Sequence, residues 1–333
     1  MTATNPRDHP LPRRLTALLL SLCALAGCGV QTEGRAAAPG AGPSPEASAR
    51  TVGRAEAAQA FELLRRLDDA WRDRDCAAVE RLTAWAESTL GGRACEATRN
   101  GRPAPARKEY SDPEFFLPAT AGDDRWFAAL AREPGPAYFL FVHQGDHWRL
   151  AAGPVPVDGG DAPEPVADPD GGAAASAVPG DDPSTGVRAR LVPQRYLTYL
   201  TDPAGVSGVR FAKGDAAADL LKELGERPGR VRPDRLTADV RLVVGPQRAL
   251  ALPEGGALVF HALEIEYRQR PGAGRSTLAH PIYGRDDLRG FTGGARAAEL
   301  TGTEILLAVT EVTARGRLST VAFRRALAEL STG

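Results

Sequence analysis

"PAYFLFVHQGDHWRLAAGPV", residues 136–155, is the stretch that decides the fold. The runs at residues 138–142 and 148–152 are rich in aromatic and aliphatic side chains, and a short turn at residues 143–146 separates them. Two such runs joined by a short turn that contains glycine are typical of antiparallel strands. The stretch therefore predicts a β-hairpin, and this hairpin closes a first folded segment at residues 55–155.

The beginning of this segment has a different periodicity. In "AEAAQAFELLRRLDDAWRDRDCAAVERL", residues 55–82, large apolar side chains recur at helical spacing, at Phe61, Leu64, Leu67 and Trp71. Charged residues fall between them, so the pattern predicts an amphipathic helix. A turn at residues 73–75 then leads to a second helix, which carries Val79 and Leu82.

Two N-terminal helices, a variable middle and a closing hairpin of the type "FVHQGDHWRLA" resemble the NTF2-like family. The resemblance covers about 100 residues and rests on the order of the elements, because this family has no invariant signature. It implies an α+β fold in which the helices pack against a curved antiparallel sheet and form a cone.

Residues 186–333 repeat the same order more loosely. "VPQRYLTYLTD" and "DAAADLLKELGE" predict helices, and the strands predicted after them are "DRLTADVRLVV", "RALALP", "ALVFHALEIEYRQR", "TEILLAVTEVTA" and "GRLSTVAFRRALAEL". Helices followed by antiparallel strands are again an α+β order. We expect a second α+β domain that is NTF2-like as well, although no stretch aligns residue for residue between the halves.

Two segments are too polar to fold by themselves. Residues 28–54 contain almost no large apolar side chain, and residues 156–185 contain seven acidic residues and no basic one. Segments of this composition cannot bury enough apolar surface to offset the entropy of ordering. They predict a disordered tether and a disordered acidic linker that joins two domains.

The N-terminus has the features of an export signal. Three arginines precede a short apolar run at residues 15–26, which is well below the roughly 20 residues that a membrane-spanning helix needs. The run ends in Leu25-Ala26-Gly27-Cys28, which resembles the lipobox of bacterial lipoproteins. The resemblance implies that residues 1–27 are removed and that Cys28 is lipidated. An ordinary secretion signal is the alternative, and Sec and Tat export both stay open. The whole layout resembles actinobacterial lipoproteins of unknown function.

The remaining cysteines and the overall charge restrict the function further. Cys76 and Cys95 are 19 positions apart with no histidine nearby, which does not suit a zinc site or a C-x-x-C redox centre. Outside the cytoplasm we expect a disulfide between them. The chain carries 41 basic against 42 acidic residues, so it has no basic excess that would predict nucleic-acid binding.

No familiar catalytic motif is present in the sequence. His143, Asp146 and His147 at the hairpin turn could hold a metal ion, but we expect them to face solvent. Asp239, Glu264 and Glu266 are carboxylates of the kind used by NTF2-like ketosteroid isomerases, again on a face that we expect to be solvated. His261 shares a strand face with aliphatic residues, so it either lines a cavity or lies in the core. We therefore expect no enzyme, no metal and no cofactor.

An aromatic cluster gives a further candidate site. "SDPEFFLPATAGDDRWFAAL", residues 111–130, holds Phe115, Phe116, Trp126 and Phe127 in a chain with 6% aromatic residues. These side chains could line a pocket, form a patch for a partner protein or simply close the core.

Together these features predict a lipid-anchored binding or scaffolding protein on the extracytoplasmic face of the cell membrane. Its partners would be the membrane, through the lipid on Cys28, and an envelope protein. One alternative is a carrier or sensor that holds a small apolar ligand in an NTF2-like cavity, and another is an enzyme with an unrecognised site.

Overall fold

A computed structural model describes residues 51–120, 124–159, 162–166, 175–246 and 248–333. All of the described residues belong to one compact unit. The predicted signal peptide, Cys28 and the tether up to residue 50 lie outside the described residues. In the described part of the chain, no helix is both long enough and apolar enough to cross a membrane.

The first half begins with four helices, α1 (Arg54–Phe61), α2 (Leu63–Asp73), α3 (Cys76–Leu82) and α4 (Trp85–Arg99). The turn predicted at residues 73–75 is confirmed. Arg74 adopts a left-handed conformation that ends α2, and the Asp75 side chain caps α3 by accepting a hydrogen bond from the Ala78 N–H at 3.0 Å. Helix α4 is not among the elements that the sequence predicts.

A four-stranded antiparallel sheet follows, with strands β1 (Ser111–Phe116), β2 (Trp126–Glu133), β3 (Ala137–Gln144) and β4 (His147–Pro156) in sequential order. The predicted hairpin is confirmed as β3 and β4. Gln144 pairs with His147, and Gly145 takes a positive φ of 60° in the turn between them. Side chains alternate between the two faces of this sheet.

The second half contains helices α5 (Thr185–Thr201), α6 (Ala216–Arg230) and α7 (Arg285–Thr292). Its strands are β5 (Arg235–Leu242), β6 (Arg248–Leu252), β7 (Gly256–Arg270), β8 (Leu300–Val312) and β9 (Leu318–Thr332). They form a second antiparallel sheet in the order β5-β7-β8-β9, and β6 pairs with β7 beside β5. The predicted helices and strands are confirmed, whereas α7 lies in a glycine-rich stretch that we had not assigned.

The two sheets pack face to face. In β7, Leu258 and Phe260 join a cluster that includes Leu140 and other residues of the first sheet. The next residues in the alternation, such as Leu263 and Ile265, face α5 and α6 instead. Helices α1 and α2 cover the outer face of the first sheet in the same way. The result is a helix–sheet–sheet–helix sandwich of the α+β class.

The acidic segment differs from the linker that the sequence predicts. Its residues 160–161 and 167–174 lie outside the described residues. Among the others, the N–H of Val178 donates to the carbonyl of Ala249 at 3.0 Å, and that of Val166 donates to the carbonyl of Ala251 at 2.9 Å. These bonds attach the segment to β6, because backbone pairing does not require apolar side chains. The two halves therefore share a central core and are not two separate bodies.

The start of the folded part also differs slightly from the prediction. Val52 lies within the predicted tether, but its side chain is buried in the core of the first half. Arg54 already begins α1. The described fold thus already includes Val52 and Arg54, which the composition assigns to the tether.

A disulfide joins Cys76, at the start of α3, to Cys95 in α4, as the sequence predicts. Cross-linking a loop of this length is expected to stabilise the fold by about 3 kcal/mol, mainly by restricting the unfolded chain. We expect the Cys76→Ser/Cys95→Ser variant to lose about that much unfolding free energy in urea titrations. The wild-type protein should fall to the same value in dithiothreitol, and the variant should not respond to the reductant. A wild-type protein insensitive to reductant would contradict this prediction.

Candidate functional site

An apolar pocket of about 520 Å³ lies on the helix side of the first sheet. Helices α2 and α4 form two of its walls, and the end of β4 and the middle of β9 form the others. Residues 102–110, which have no regular secondary structure and are named the strap here, cross its mouth. Both halves of the chain therefore contribute to the pocket.

The floor of the pocket consists of buried apolar side chains, namely Leu67, Leu90, Ala94, Phe139 and Leu150. Half-buried side chains, including Leu64, Trp71 and Leu327, surround the floor. A concave apolar surface with a few polar groups at its edge is the usual form of a small-molecule site.

The strap is fixed at both of its ends. The Arg102 guanidinium pairs with Asp287 at 2.8 Å and lies 5.0 Å from the centre of the Phe291 ring, both of which belong to α7. At the other end, the Tyr110 ring packs edge-on against Phe139 at 4.9 Å. Between these points the strap residues are exposed, so the mouth is covered by a thin segment anchored at its ends.

A buried ion pair fixes the walls of the pocket to one another. The Glu87 carboxylate of α4 accepts hydrogen bonds from the Arg324 guanidinium of β9 at 2.6 Å and from the Gly153 N–H of β4 at 2.9 Å. Arg324 also donates to the Pro154 carbonyl at 3.2 Å. Only glycine fits at position 153, because its φ is +136° and a Cβ there would lie 2.6 Å from the Phe139 ring.

Asp68 has only a long ion-pair contact at the edge of the pocket. Its side chain is about one-third exposed, and its carboxylate lies 3.8 Å from the Arg107 guanidinium of the strap. At this separation the Arg107 guanidinium does not form a hydrogen bond with the carboxylate. Burial raises the pKa of Asp68, and the charge of Arg107 opposes this effect only in part. Ionised Asp68 therefore destabilises the folded state, and this cost disappears as the pH falls below the ordinary carboxyl pKa.

The aromatic residues singled out in the sequence do not form one site. Phe115 and Phe127 face α1 and α2, whereas Phe116 and Trp126 face the second sheet. All four side chains are buried, so they form neither an exposed patch nor a shared pocket. The alternation of side chains along β1 and β2 explains the separation, because neighbours in a strand point to opposite faces.

His261 lies in the core of the second half and not in the lining of the pocket described above. It is 3% exposed, its Nε2 lies 2.9 Å from the Thr310 hydroxyl, and its ring contacts Tyr196. Burial lowers the pKa of His261 to about 3, so the ring is neutral at physiological pH. Of our two interpretations, the core histidine fits these contacts.

Of the turn residues considered for a metal site, His143 is engaged in other contacts. His143 Nε2 accepts a hydrogen bond from Arg125 at 2.7 Å, and its ring packs against Trp148. Desolvation and the positive charge of Arg125 lower the pKa of His143. Asp146 and His147 are exposed. Within the described ranges, no cluster of three or more potential ligands could hold a metal ion.

The three carboxylates considered for catalysis are paired with arginine. Asp239 lies 2.8 Å from Arg241, and Glu266 lies 2.6 Å from Arg268 and 3.3 Å from Arg241. Glu264 lies 3.9 Å from Arg241. The carboxylates therefore belong to a surface network of charges and do not converge on a cavity.

The charged residues of the pocket are not among the sites that the sequence predicts. One local signal was available for Asp68, which follows Leu67 and lies four positions after Leu64, at the flank of the apolar stripe of α2. An acidic residue at the flank of an apolar stripe lies at the edge of the surface against which the stripe packs. Glu87 and Arg324 are far apart in sequence, and no local pattern connects them.

Comparison with known proteins gives a family but no activity. A family model described as "Domain of unknown function (DUF8094)" matches residues 49–328. An uncharacterized lipoprotein of Streptomyces coelicolor is 33% identical over 188 residues, which are 53% of this chain and 54% of that protein. The chain thus spans about half the length of the curated relative that it matches. No solved structure matches it.

Proposed function

This chain belongs to the family described as "Domain of unknown function (DUF8094)", and from that premise we propose that it is a lipid-anchored envelope protein that binds a small apolar molecule. The binding site would be the pocket under the strap. The observation that carries the proposal is the apolar floor of this 520 Å³ cavity, which a covering segment separates from solvent only in part.

The lipid anchor is supported by two independent observations. The sequence Leu25-Ala26-Gly27-Cys28 has the form of a lipobox, and the relative in Streptomyces coelicolor is named a lipoprotein. An anchor of two acyl chains holds a protein stably at a membrane, whereas one chain gives only marginal binding. We propose the extracytoplasmic face of the cell membrane as the place of action.

We propose binding in preference to scaffolding or catalysis. The aromatic residues that would have offered a docking patch near Trp126 are buried, which removes the main support for a partner protein at that position. The charged groups around the pocket are mostly engaged in ion pairs with one another, as in Glu87 with Arg324 and Arg102 with Asp287. Charged groups that are paired in this way hold the walls of a binding site in place, and they are not free to transfer protons to a substrate.

A charge placed at the edge of the pocket is expected to weaken binding. Leu64 is half-buried, so a lysine there can extend its ammonium group to water without unfolding the helix, yet it leaves a charge beside the apolar floor. We expect Leu64→Lys to weaken binding of the neutral fluorophore N-phenyl-1-naphthylamine by about tenfold or more, measured by fluorescence titration. The Cys28→Ala background avoids competition from detergent and acyl chains.

Leu191→Lys is the matched control, because Leu191 lies on α5, is 47% exposed and does not line the pocket. It should bind the fluorophore as the parent protein does. Equal affinities of the two variants, or no binding by the parent, would refute the proposed function.

A further inference from the structure

The charges around the pocket differ in how well they are paired. Arg324 pairs with Glu87 at 2.6 Å, and Arg325 pairs with Glu223 at 2.9 Å and with Glu304 at 3.1 Å. These ion pairs are short and partly or fully buried, so their charged side chains are not free to bind a ligand. Of the two acidic side chains among the described residues that line the pocket, Glu87 has short contacts, whereas Asp68 has only the contact of 3.8 Å with Arg107.

Arg107 does not satisfy Asp68. Its guanidinium lies 3.8 Å from the Asp68 carboxylate but 2.9 Å from the carboxylate of Glu109, its neighbour on the strap. A hydrogen bond between an arginine and a carboxylate is normally 2.7–2.9 Å long. Arg107 is therefore bound mainly to Glu109, and the Asp68 oxygens remain available as acceptors.

Aromatic rings lie beside this carboxylate. Trp71 is three residues after Asp68 on α2, so the two side chains are neighbours on the helix surface, and both line the pocket. Tyr110 lines the same pocket and packs on Phe139. A carboxylate next to aromatic faces is a suitable environment for an ammonium group, which pairs with the charge and is attracted by the rings.

From this arrangement, and building on the proposed function, we propose that the ligand of the pocket is an alkylammonium compound whose positive group contacts Asp68. Its apolar part would lie on the floor formed by Leu67 and Leu90. An anionic group in the same place would face the carboxylate of Asp68 as well as the apolar floor. Lys108 also lines the pocket, but its side chain lies on the exposed strap, so an anion paired with it would stay hydrated.

The test compares three probes with the same tail and different head groups. Octylammonium, octanol and octanoate displace N-phenyl-1-naphthylamine from the full chain carrying Cys28→Ala, at pH 7 and below their micelle concentrations. We expect octylammonium to displace the fluorophore at a concentration about tenfold lower than octanoate, with octanol between them. Equal potency of octanol and octylammonium, or better displacement by octanoate, overturns the proposal.

Three variants assign the preference to Asp68. Asp68→Asn keeps the size of the side chain and removes its charge, so we expect the tenfold difference to shrink below about threefold. Arg107→Gln removes a competing cation and should tighten octylammonium binding by about twofold to threefold. Asp69→Asn is the control, because Asp69 pairs with Arg72 at 2.8 Å outside the pocket, and it should leave the ranking unchanged. A ranking that persists in Asp68→Asn overturns the proposal.

The fluorophore titration and one further measurement distinguish failure of the proposed function from failure of this inference. Failure of the fluorophore to bind any form of the protein counts against the proposed function, whereas normal fluorophore binding without the ranking counts only against the alkylammonium ligand. Isothermal titration calorimetry with octylammonium does not depend on the fluorophore. Absence of binding heat at millimolar octylammonium, in protein with native circular dichroism, overturns the inference directly.

Discussion

Replacing Cys28 with alanine is expected to prevent lipidation. The protein should then be found either in the soluble fraction or as an uncleaved precursor, and no longer as a mature protein in the membrane fraction. The thiol of Cys28 is the proposed attachment point of the acyl chains, and each buried methylene contributes about 0.8 kcal/mol to membrane binding. Fractionation followed by a high-salt wash and immunoblotting measures the effect.

Cys23→Ala is the matched control, since Cys23 lies in the same apolar run but within the part that we expect to be removed. It should stay in the membrane fraction, and mass spectrometry of the mature protein should find the lipid on Cys28. Full retention of a processed Cys28→Ala protein at the membrane would show that the anchor lies elsewhere.

Removing the Glu87 carboxylate is expected to cause a large loss of stability. Its side chain is 9% exposed and accepts hydrogen bonds from Arg324 and the Gly153 N–H. Glu87→Ala would leave a partly buried guanidinium and a buried N–H without their partner. Breaking a buried pair in this way typically costs about 3–5 kcal/mol of unfolding free energy. Urea titration followed by circular dichroism measures the loss.

The same helix provides a control for this effect. Glu96 of α4 pairs with Arg93 at 3.0 Å, but both side chains are more than half exposed, so Glu96→Ala should cost less than about 1 kcal/mol. The double variant Glu87→Gln/Arg324→Met removes the unpaired charge and should recover part of the loss. A Glu87→Ala variant as stable as Glu96→Ala would mean that this pair does not hold the walls of the pocket together.

The elements predicted correctly are those with a strong local pattern. The helical spacing of Phe61, Leu64 and Leu67 predicts one helix, which the structure divides at Glu62 into α1 and α2. The paired apolar runs around Gly145 specify the hairpin over a short stretch. Helix α4 lacks such a pattern, because it contains Gly91 and Gly92 and buries mainly small side chains. Gly91 faces Val79 so closely that a Cβ would approach it to 2.7 Å, so tertiary packing favours this helix despite its composition.

Neither the pairing of the acidic segment nor the pocket could be predicted from local sequence patterns, and the physical reasons differ. Composition indicates whether side chains can be buried, but Val178 and Val166 join the second sheet through their backbones. The pocket arises where α2, α4, the strap and β9 meet, and only the flank position of Asp68 in α2 gave a local indication of it. Both features depend on contacts between residues distant in sequence.

Because α2 and β9 both form walls of the pocket, the pocket can form only after both elements have folded. Leu64 lies in α2, whereas Leu327 lies in β9, which follows the other helices and strands of the described residues. During synthesis or export of an unfolded chain, the N-terminal wall emerges long before its partner, and contacts over such distances close late. A chain exported unfolded would thus reach the outer side of the membrane with no site for cargo. The proposed pocket could therefore take up a ligand only after β9 had docked.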